Sequence, residues 1–335
     1  MQFNLFSMLP EKRVYKHIDS LHCRQKSCIL NYIMRRWILL NLYLGIGLLL
    51  FSVLLLILDS FFMKTYFYIF GWWSLIFIFD SLNFRLRKTS PLFRSPKKFV
   101  FMAFISVFVW LIFELFNLRL ENWSYHDLPV SLPIRWTGYF LAFATVVPAL
   151  MELSELFLNI FKDKNLSNYE FVKKKSFLNG SLILGILSLG FCLIFPNLFF
   201  PLVWLGFIFL LEPVNYRLNN DSLLSDLEKG QWGRIFSWPA AGFAAGILWE
   251  LLNFWSNSRW EYTLPYLNFG RIFQMPVFGY GGFPPFALEV FALWSFILFI
   301  KKKIDRSPVL QIISLILLFS LYVWIFHLMD IFTVQ

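Results

Sequence analysis

Long apolar runs separated by short polar connections dominate this chain. Nine runs follow one another, and each is close to the roughly 20 residues that a helix needs to cross the hydrocarbon core of a bilayer. The runs cover residues 37–58, 65–84, 99–118, 134–160, 177–195, 198–214, 235–254, 277–300 and 309–331. The pattern predicts an all-α polytopic membrane protein with about nine transmembrane helices.

The composition agrees with this class. The 335 residues are 58% hydrophobic and 15% charged, whereas a soluble domain carries roughly a quarter charged residues. The mean hydropathy is +0.62. The three cysteines form no disulfide framework, since two precede the first run and the third lies within the fifth.

Basic residues gather in every second connection. They lie before the first run, between the second and third, after the fourth and after the eighth. Because Lys and Arg are retained on the cytoplasmic side, we expect a cytoplasmic N-terminus and an external C-terminus in the cell (inner) membrane. This bias and attraction to anionic lipid headgroups account for the net charge of +10. The bilayer is therefore the predicted partner, and no nucleic acid is expected.

A basic leader, residues 1–36, precedes the first run. It holds His17, His22, Cys23 and Cys28 in the pattern H-x4-H-C-x4-C. The spacing is not that of a standard zinc finger, and the adjacent His22 and Cys23 are awkward to place on one metal. We interpret the leader as a lipid-facing basic segment, with metal binding as the alternative.

One polar pattern occurs twice in the apolar background. Each copy has a Glu-x-x-Asn pair at the end of one run, a Trp-x-Tyr triplet in the next connection, and a Pro and a Glu in the following run. The first copy comprises Glu114, Asn117, Trp123, Tyr125, Pro148 and Glu152. The second comprises Glu250, Asn253, Trp260, Tyr262, Pro285 and Glu289, at offsets of 136 for the first pair and 137 for the others.

A second phrase, acid-x-x-Asn-aromatic-Arg-Leu, also occurs twice, at an offset of 132. Its polar residues are Asp80, Asn83 and Arg85 in the first copy and Glu212, Asn215 and Arg217 in the second. The acid and the Asn share one helix face because they are three residues apart. Two interpretations stay open: a carboxylate–arginine clasp that fixes the helix end, or a gate on the cytoplasmic side.

Together the copies predict an internal duplication. The first four-helix unit spans residues 37–163, the second spans 172–303, and the helix at 309–331 stands outside the pattern. A unit with an even number of spans inserts its second copy in the same orientation, so the units should be related by a pseudo-two-fold axis along the membrane normal.

Four carboxylates fall at bilayer depth. With a rise of about 1.5 Å per residue, Glu114 and Glu250 lie near the external interface, and Glu152 and Glu289 lie near the midplane. An ionisable residue at this depth is costly and marks either a functional site or a specific polar partner. The structural alternative is interhelical hydrogen bonding that joins the two units.

The second copy is richer in backbone breaks, because Gly279, Gly281 and Gly282 interrupt the start of the eighth run. Such a break is tolerated where backbone lines a cavity or is buried in protein. We therefore predict a site centred on the second half, with Glu289 and Glu250 as catalytic residues. The predicted ligand-binding residues are Asn253, Trp260, Tyr262, Glu114, Asn117, Trp123, Tyr125 and Glu152. No metal or cofactor is predicted.

Several chemistries lack their motifs. The sequence has no P-loop, no dinucleotide-binding glycine pattern after a strand and no G-x-S-x-G. Its four histidines do not cluster within the runs. The first hypothesis is therefore a protein that binds or modifies an apolar isoprenoid- or lipid-like molecule, with an intramembrane Glu as general acid. The alternatives are a proton- or cation-coupled transporter or channel, and an accessory subunit of a membrane complex.

Units that carry a Trp-x-Tyr triplet followed by Pro and Glu loosely resemble small integral-membrane lycopene cyclases. The doubled Pro-x-Glu-Glu motif of that family is absent from this chain. The resemblance implies isoprenoid chemistry without assigning the family.

Overall fold

The computed structural model describes residues 36–162, 164 and 166–335. Within this part of the chain, nine helical segments are long and apolar enough to cross a membrane. They are Arg36–Ile57, Phe61–Arg87, Pro96–Leu120, Leu132–Phe161, Lys175–Ile194, Pro196–Arg217, Gly233–Trp255, Val277–Ile304 and Pro308–Phe332. The predicted class, an all-α polytopic membrane protein, is confirmed.

The spans are built from helices labelled here in chain order. These are α1 (Arg36–Ile57), α2 (Phe61–Arg87), α3 (Pro91–Arg94), α4 (Pro96–Leu120), α5 (Leu132–Phe143), α6 (Val146–Phe161), α7 (Lys175–Ile194), α8 (Pro196–Phe199), α9 (Val203–Arg217), α10 (Leu223–Glu228), α11 (Gly233–Trp255), α12 (Phe283–Ile304) and α13 (Pro308–Phe332). Short 3₁₀ turns at Glu170–Lys173, Phe200–Leu202 and Val277–Gly282 precede α7, α9 and α12.

Local sequence explains where several helices begin. Ser60, Ser95 and Ser307 each accept a hydrogen bond at their side chain from a backbone N–H of the first turn. Pro96 and Pro308 follow two of these serines, in first-turn positions where proline removes no helical hydrogen bond.

The fourth apolar run is two helices rather than one. The break between α5 and α6 frees backbone groups that lipid could not satisfy. Ser106 on α4 fills this role, since its Oγ donates to the Phe143 carbonyl at 2.6 Å and accepts from the Val147 N–H at 2.9 Å. A single serine therefore holds the break against the neighbouring helix.

The two Trp-x-Tyr triplets form strands. Strand β1 (Trp123–His126) pairs antiparallel with β2 (Arg259–Tyr262). In the register, Trp123 lies opposite Tyr262 and Tyr125 lies opposite Trp260. A second small sheet joins β3 (Arg271–Ile272) to β4 (Met275–Pro276). We call the end of the bundle that carries β1 and β2 the sheet end.

Helix α11 lies at the centre of the helix packing, against α6, α12 and α2. Gly242 of α11 allows a close approach, because a Cβ there would lie 2.3 Å from the Phe283 carbonyl oxygen of α12. Helices α1, α7 and α13 bury the smallest fractions of their apolar windows and form the rim of the bundle.

The carboxylate–arginine clasp, one of the two interpretations of the second repeated phrase, does not form in the structure. At the end opposite the sheets, Asp80 accepts from the Leu92 N–H at 3.1 Å and Glu212 accepts from the Leu224 N–H at 3.0 Å. Both carboxylates thus satisfy the exposed donors at the starts of α3 and α10. Arg85 and Arg217 are exposed, and within the described ranges neither forms an ion pair with these acids. Arg217 instead donates to Asn179 at 2.6 Å.

Candidate functional site: an aromatic cavity between two carboxylate clusters

A cavity of about 520 Å³ lies at the sheet end, between the two halves of the chain. Five tryptophans, five tyrosines and five phenylalanines contribute to its lining. Its walls come from α2, α4, α5, α9, α11 and α12 and from the strands β1 and β2. The volume is in the range of small-molecule sites, and the lining is of the apolar, aromatic kind that such sites use.

The inner boundary of the cavity is a cluster of rings around Phe286, which is 2% exposed. Its ring centroid lies 5.1 Å from Phe113, 5.6 Å from Trp204, 5.8 Å from Trp249 and 5.9 Å from Trp110. All four pairs are edge-to-face, an arrangement that aromatic rings favour. This floor separates the cavity from the polar groups deeper in the bundle.

Behind one wall lies the first carboxylate cluster. One oxygen of Glu114, Oε1, accepts from Trp110 Nε1 at 2.7 Å, Trp123 Nε1 at 3.2 Å and Tyr125 Oη at 2.5 Å. Glu114 is fully buried, and its Oε2 has no hydrogen-bond partner among the described residues. The three donors line the cavity, so the carboxylate lies directly behind its surface.

Asn117 sets the path of the chain from α4 into β1. Its Nδ2 donates to the Trp123 carbonyl at 2.8 Å, and its Oδ1 accepts from the Asn122 N–H at 2.9 Å and the Trp123 N–H at 3.2 Å. These bonds satisfy backbone groups that the helix end leaves open. Asn117 is therefore a positioning residue for Trp123.

The second carboxylate cluster is arranged in the same way around α11 and β2. Asn253 Nδ2 donates to the Trp260 carbonyl at 2.9 Å, and the Trp260 N–H donates to Asn253 Oδ1 at 3.0 Å. The Tyr262 hydroxyl donates to Glu250 Oε1 at 2.8 Å and accepts from Trp260 Nε1 at 2.8 Å. Tyr262 thus links the carboxylate to the cavity lining.

Both tyrosines are held in their neutral form. Burial, reinforced by the neighbouring carboxylate, raises the pKa of Tyr125 and of Tyr262 well above the ordinary value for a phenol. Each hydroxyl therefore keeps its proton at neutral pH and can donate a hydrogen bond.

The structure places Glu152 and Glu289 away from the cavity. Both are fully buried, and neither contributes to the lining. Glu152 Oε2 accepts from Asn83 Nδ2 at 2.7 Å, and Glu289 Oε1 accepts from the Phe207 N–H at 2.8 Å. Asn215, the counterpart of Asn83, donates to the Ala292 carbonyl at 2.9 Å. The predicted site residues therefore divide into a group at the cavity and a deeper group.

Other residues beside the cavity were not predicted as site residues from sequence. Asp330 at the end of α13 accepts from Arg135 at 3.1 Å, Trp136 at 2.7 Å and Tyr139 at 2.9 Å, which ties α13 to α5 beside the cavity. Trp110 carried a usable signal, because it precedes Glu114 by four residues and so shares its helix face. Trp204 matches Trp72 at the offset of 132, a signal that marks the repeated phrase but no site, and Phe286 carried no signal beyond its aromatic character.

Within residues 36–162, 164 and 166–335, no group of three or more His, Cys, Asp or Glu side chains could hold a metal ion. The leader residues His17, His22, Cys23 and Cys28 lie outside the described residues. In comparisons with known proteins, no family model, curated protein or solved structure matches this chain.

Proposed function

We propose that this membrane protein binds an apolar lipid- or isoprenoid-like molecule in the aromatic cavity and exchanges a proton with it. The observation that carries the proposal is the pairing of a 520 Å³ aromatic cavity with two buried Glu–Tyr pairs whose tyrosines line it. Apolar walls supply affinity for a hydrocarbon ligand, and a few fixed polar groups supply orientation and chemistry.

The Tyr262–Glu250 pair is the favoured proton donor. Proton transfer needs a group within hydrogen-bond reach of the ligand. Tyr262 lines the cavity and is hydrogen-bonded to Glu250. When Glu250 is protonated, its carboxyl can donate a proton to the Tyr262 oxygen while the hydroxyl gives its own proton to the ligand. Glu289, predicted from sequence as catalytic, lies beyond the aromatic floor and is assigned a supporting role.

A variant that fills the cavity tests the binding proposal. Gly282 lines the cavity with φ of −78°, and an added Cβ would lie in ordinary contact, 3.5 Å from Trp204. Gly282→Leu should therefore block the cavity without backbone strain. Gly47→Leu is the matched control, because Gly47 is exposed on α1 and nothing lies within 4 Å of its added Cβ.

The measurement is mass spectrometry of the molecules that co-purify with each protein. Wild type and Gly47→Leu should retain one specific apolar compound near one copy per protein, and Gly282→Leu should lose at least about 80% of it. Only bulk phospholipid in all three samples would contradict the proposal.

Transport coupled to protons or cations is the second candidate. It is favoured by Glu152 and Glu289, which are fully buried in the bundle and each keep one oxygen without a hydrogen-bond partner among the described residues. Proton flux into liposomes that Glu289→Gln abolishes, with no retained ligand in wild type, would support transport over ligand binding.

We also propose that the two halves are parallel copies with a shared two-fold axis. The β1–β2 register supports this, because it pairs each Trp with the Tyr of the other copy. The matching bonds from Leu92 to Asp80 and from Leu224 to Glu212 support it at the other end. The basic residues at the end opposite the sheets make that end the proposed cytoplasmic side.

A further inference from the structure

Asn122 is a buried amide whose polar atoms have no partner. The residue is 2% exposed and lines the cavity. Its Nδ2 and Oδ1 both lack a hydrogen-bond partner among the described residues. Its backbone is fully used, since its N–H donates to Asn117 at 2.9 Å and its carbonyl accepts from Thr263 at 2.9 Å. Only the side-chain amide of Asn122 therefore lacks hydrogen-bond partners.

A buried amide without partners is costly, and native proteins satisfy nearly all such groups. Here both the donor and the acceptor are open, so the conclusion does not depend on which way the amide is turned. A group that fills both positions must itself donate and accept, as a hydroxyl or a carboxamide does.

The other charges at the cavity argue against an ionic ligand head. In the part of the chain that the structure describes, the charged residues in the lining are Arg135 and Arg259. Arg135 is bound to Asp330 at 3.1 Å, and Arg259 is bound to Glu261 at 2.9 Å and lies 3.6 Å from Asp127. Neither guanidinium is left as a counter-ion for a phosphate or carboxylate, and no acidic side chain among the described residues lines the cavity to hold an ammonium.

We propose that Asn122 binds the polar end of the ligand, and that the ligand is an amphiphile with an uncharged hydroxyl or carboxamide head on an apolar chain. This rests on the proposed function, because it identifies the ligand class of the same cavity. A site built to hydrogen-bond such a group discriminates strongly against an analogue that lacks it.

The experiment compares four twelve-carbon probes in nanodiscs of phosphatidylethanolamine and phosphatidylglycerol. Dodecanol and dodecanamide carry the proposed head, dodecane lacks it, and dodecylammonium replaces it with a charge. Probe retained per protein is counted by native mass spectrometry, and retention by Gly282→Leu is subtracted as membrane background. Wild type should retain the alcohol and the amide at least about tenfold better than the other two probes, about 1.4 kcal/mol.

The Asn122→Leu variant should lose this preference while it retains dodecane. Its control is Asn159→Leu, which removes a partly buried Asn outside the cavity lining and should keep the wild-type preference. If Asn122→Leu fails to fold, Asn122→Ala removes the same amide and leaves space. Without probe, Asn122→Leu should melt no lower than wild type, because no protein hydrogen bond of the side chain is lost.

The outcomes separate the two proposals. Equal retention of dodecanol and dodecane by wild type would overturn the role of Asn122 and leave the apolar cavity intact. An unchanged preference in Asn122→Leu would also overturn it, since another group or a bound water would then satisfy the head. If wild type retains no probe above the Gly282→Leu level, both the inference and the proposed function fail.

Discussion

The two carboxylate clusters share their residues but differ in how open they are to the cavity. Around Glu114, Trp123 and Tyr125 are each 6% exposed. Around Glu250, every residue of β2 is partly exposed. Glu114 Oε1 accepts from three side chains, and Glu250 Oε1 accepts from Tyr262. The first cluster therefore resembles a structural anchor, and the second is the more open one, where the proposed ligand would contact the hydroxyl.

Two residues account for much of this difference. In the 136–137 residue correspondence, Trp110 of the first half matches Gly246, and Val146 matches Phe283. A Cβ at Gly246 would lie 2.1 Å from the Phe283 ring, so the space that a side chain at position 246 would need is filled by Phe283. Without a counterpart to Trp110, Glu250 lacks one of the donors that bind Glu114 Oε1.

The C-terminus closes the first cluster further. The Tyr125 N–H donates to the Thr333 carbonyl at 2.7 Å, and the Gln335 N–H donates to the Tyr125 carbonyl at 2.8 Å. With Asp330 bound to Tyr139, α13 packs mainly over the first half, and it makes a smaller contact with α12. Similar sequence patterns therefore differ in exposure, because one of them is covered by α13.

Removal of the carboxylates should give the largest contrast in stability. Glu114→Leu leaves three buried donors without an acceptor and should lower the free energy of unfolding by about 3 kcal/mol or more. Glu250→Leu leaves one such donor and should lower the free energy of unfolding by about 1–2 kcal/mol. Chemical unfolding in detergent measures both values. Equal losses would contradict the distinction between an anchor and an open site.

The close packing of Phe283 against Gly246 predicts an intermediate effect on stability. Gly246→Ala should cost about 1–3 kcal/mol, because the added methyl overpacks the Phe283 ring. Phe283→Val, which copies the Val146 of the first half, should recover most of this loss in the double variant. Thermal melts of the two single variants and the double variant give the coupling, and simple additivity would disprove the packing argument.

Alkaline pH should produce the smallest effect on the free energy of unfolding. The pKa of Tyr125 and of Tyr262 is raised in the folded protein, so their contribution is fully present below the unfolded value of about 10 and is lost as the pH rises above it. Stability should be flat with respect to these groups from pH 7 to about 9 and fall above about 10. Tyr125→Phe and Tyr262→Phe should each reduce the slope of that fall, and an unchanged slope would argue against buried neutral tyrosines.

Much of the architecture was open to prediction from sequence, because hydropathy over about 20 residues is a strong signal. The nine spans follow the predicted runs to within a few residues at most ends. The pairing of β1 with β2 was not predicted, since four-residue strands give no periodicity and their partner is more than 130 residues away. The clasp at Arg85 and Arg217 failed for a related reason: i, i+3 spacing gives a shared face but does not show which donor a carboxylate meets.

The site was partly predictable for the same reasons. The polar residues Glu114, Asn117, Glu250 and Asn253 stood out against an apolar background, and they lie behind the cavity wall. Phe286 did not, because an aromatic residue in an apolar run looks the same whether it faces lipid, core or a cavity, and the match of Trp204 to Trp72 gave no hint of a cavity. Asn122 was inconspicuous beside Trp123 until its unpartnered amide was seen in three dimensions.

The most direct test of the account is proton exchange into the co-purifying ligand. Membranes that contain wild type, Glu114→Gln or Glu250→Gln are incubated in D₂O, and the ligand is weighed by mass spectrometry. Wild type and Glu114→Gln should shift its mass by one or more deuterium atoms at carbon, while Glu250→Gln should slow the exchange at least about a hundredfold, the usual scale of general-acid catalysis. Equal exchange in both Gln variants, or none in wild type, would contradict the assignment of Glu250 and Tyr262 as the active pair.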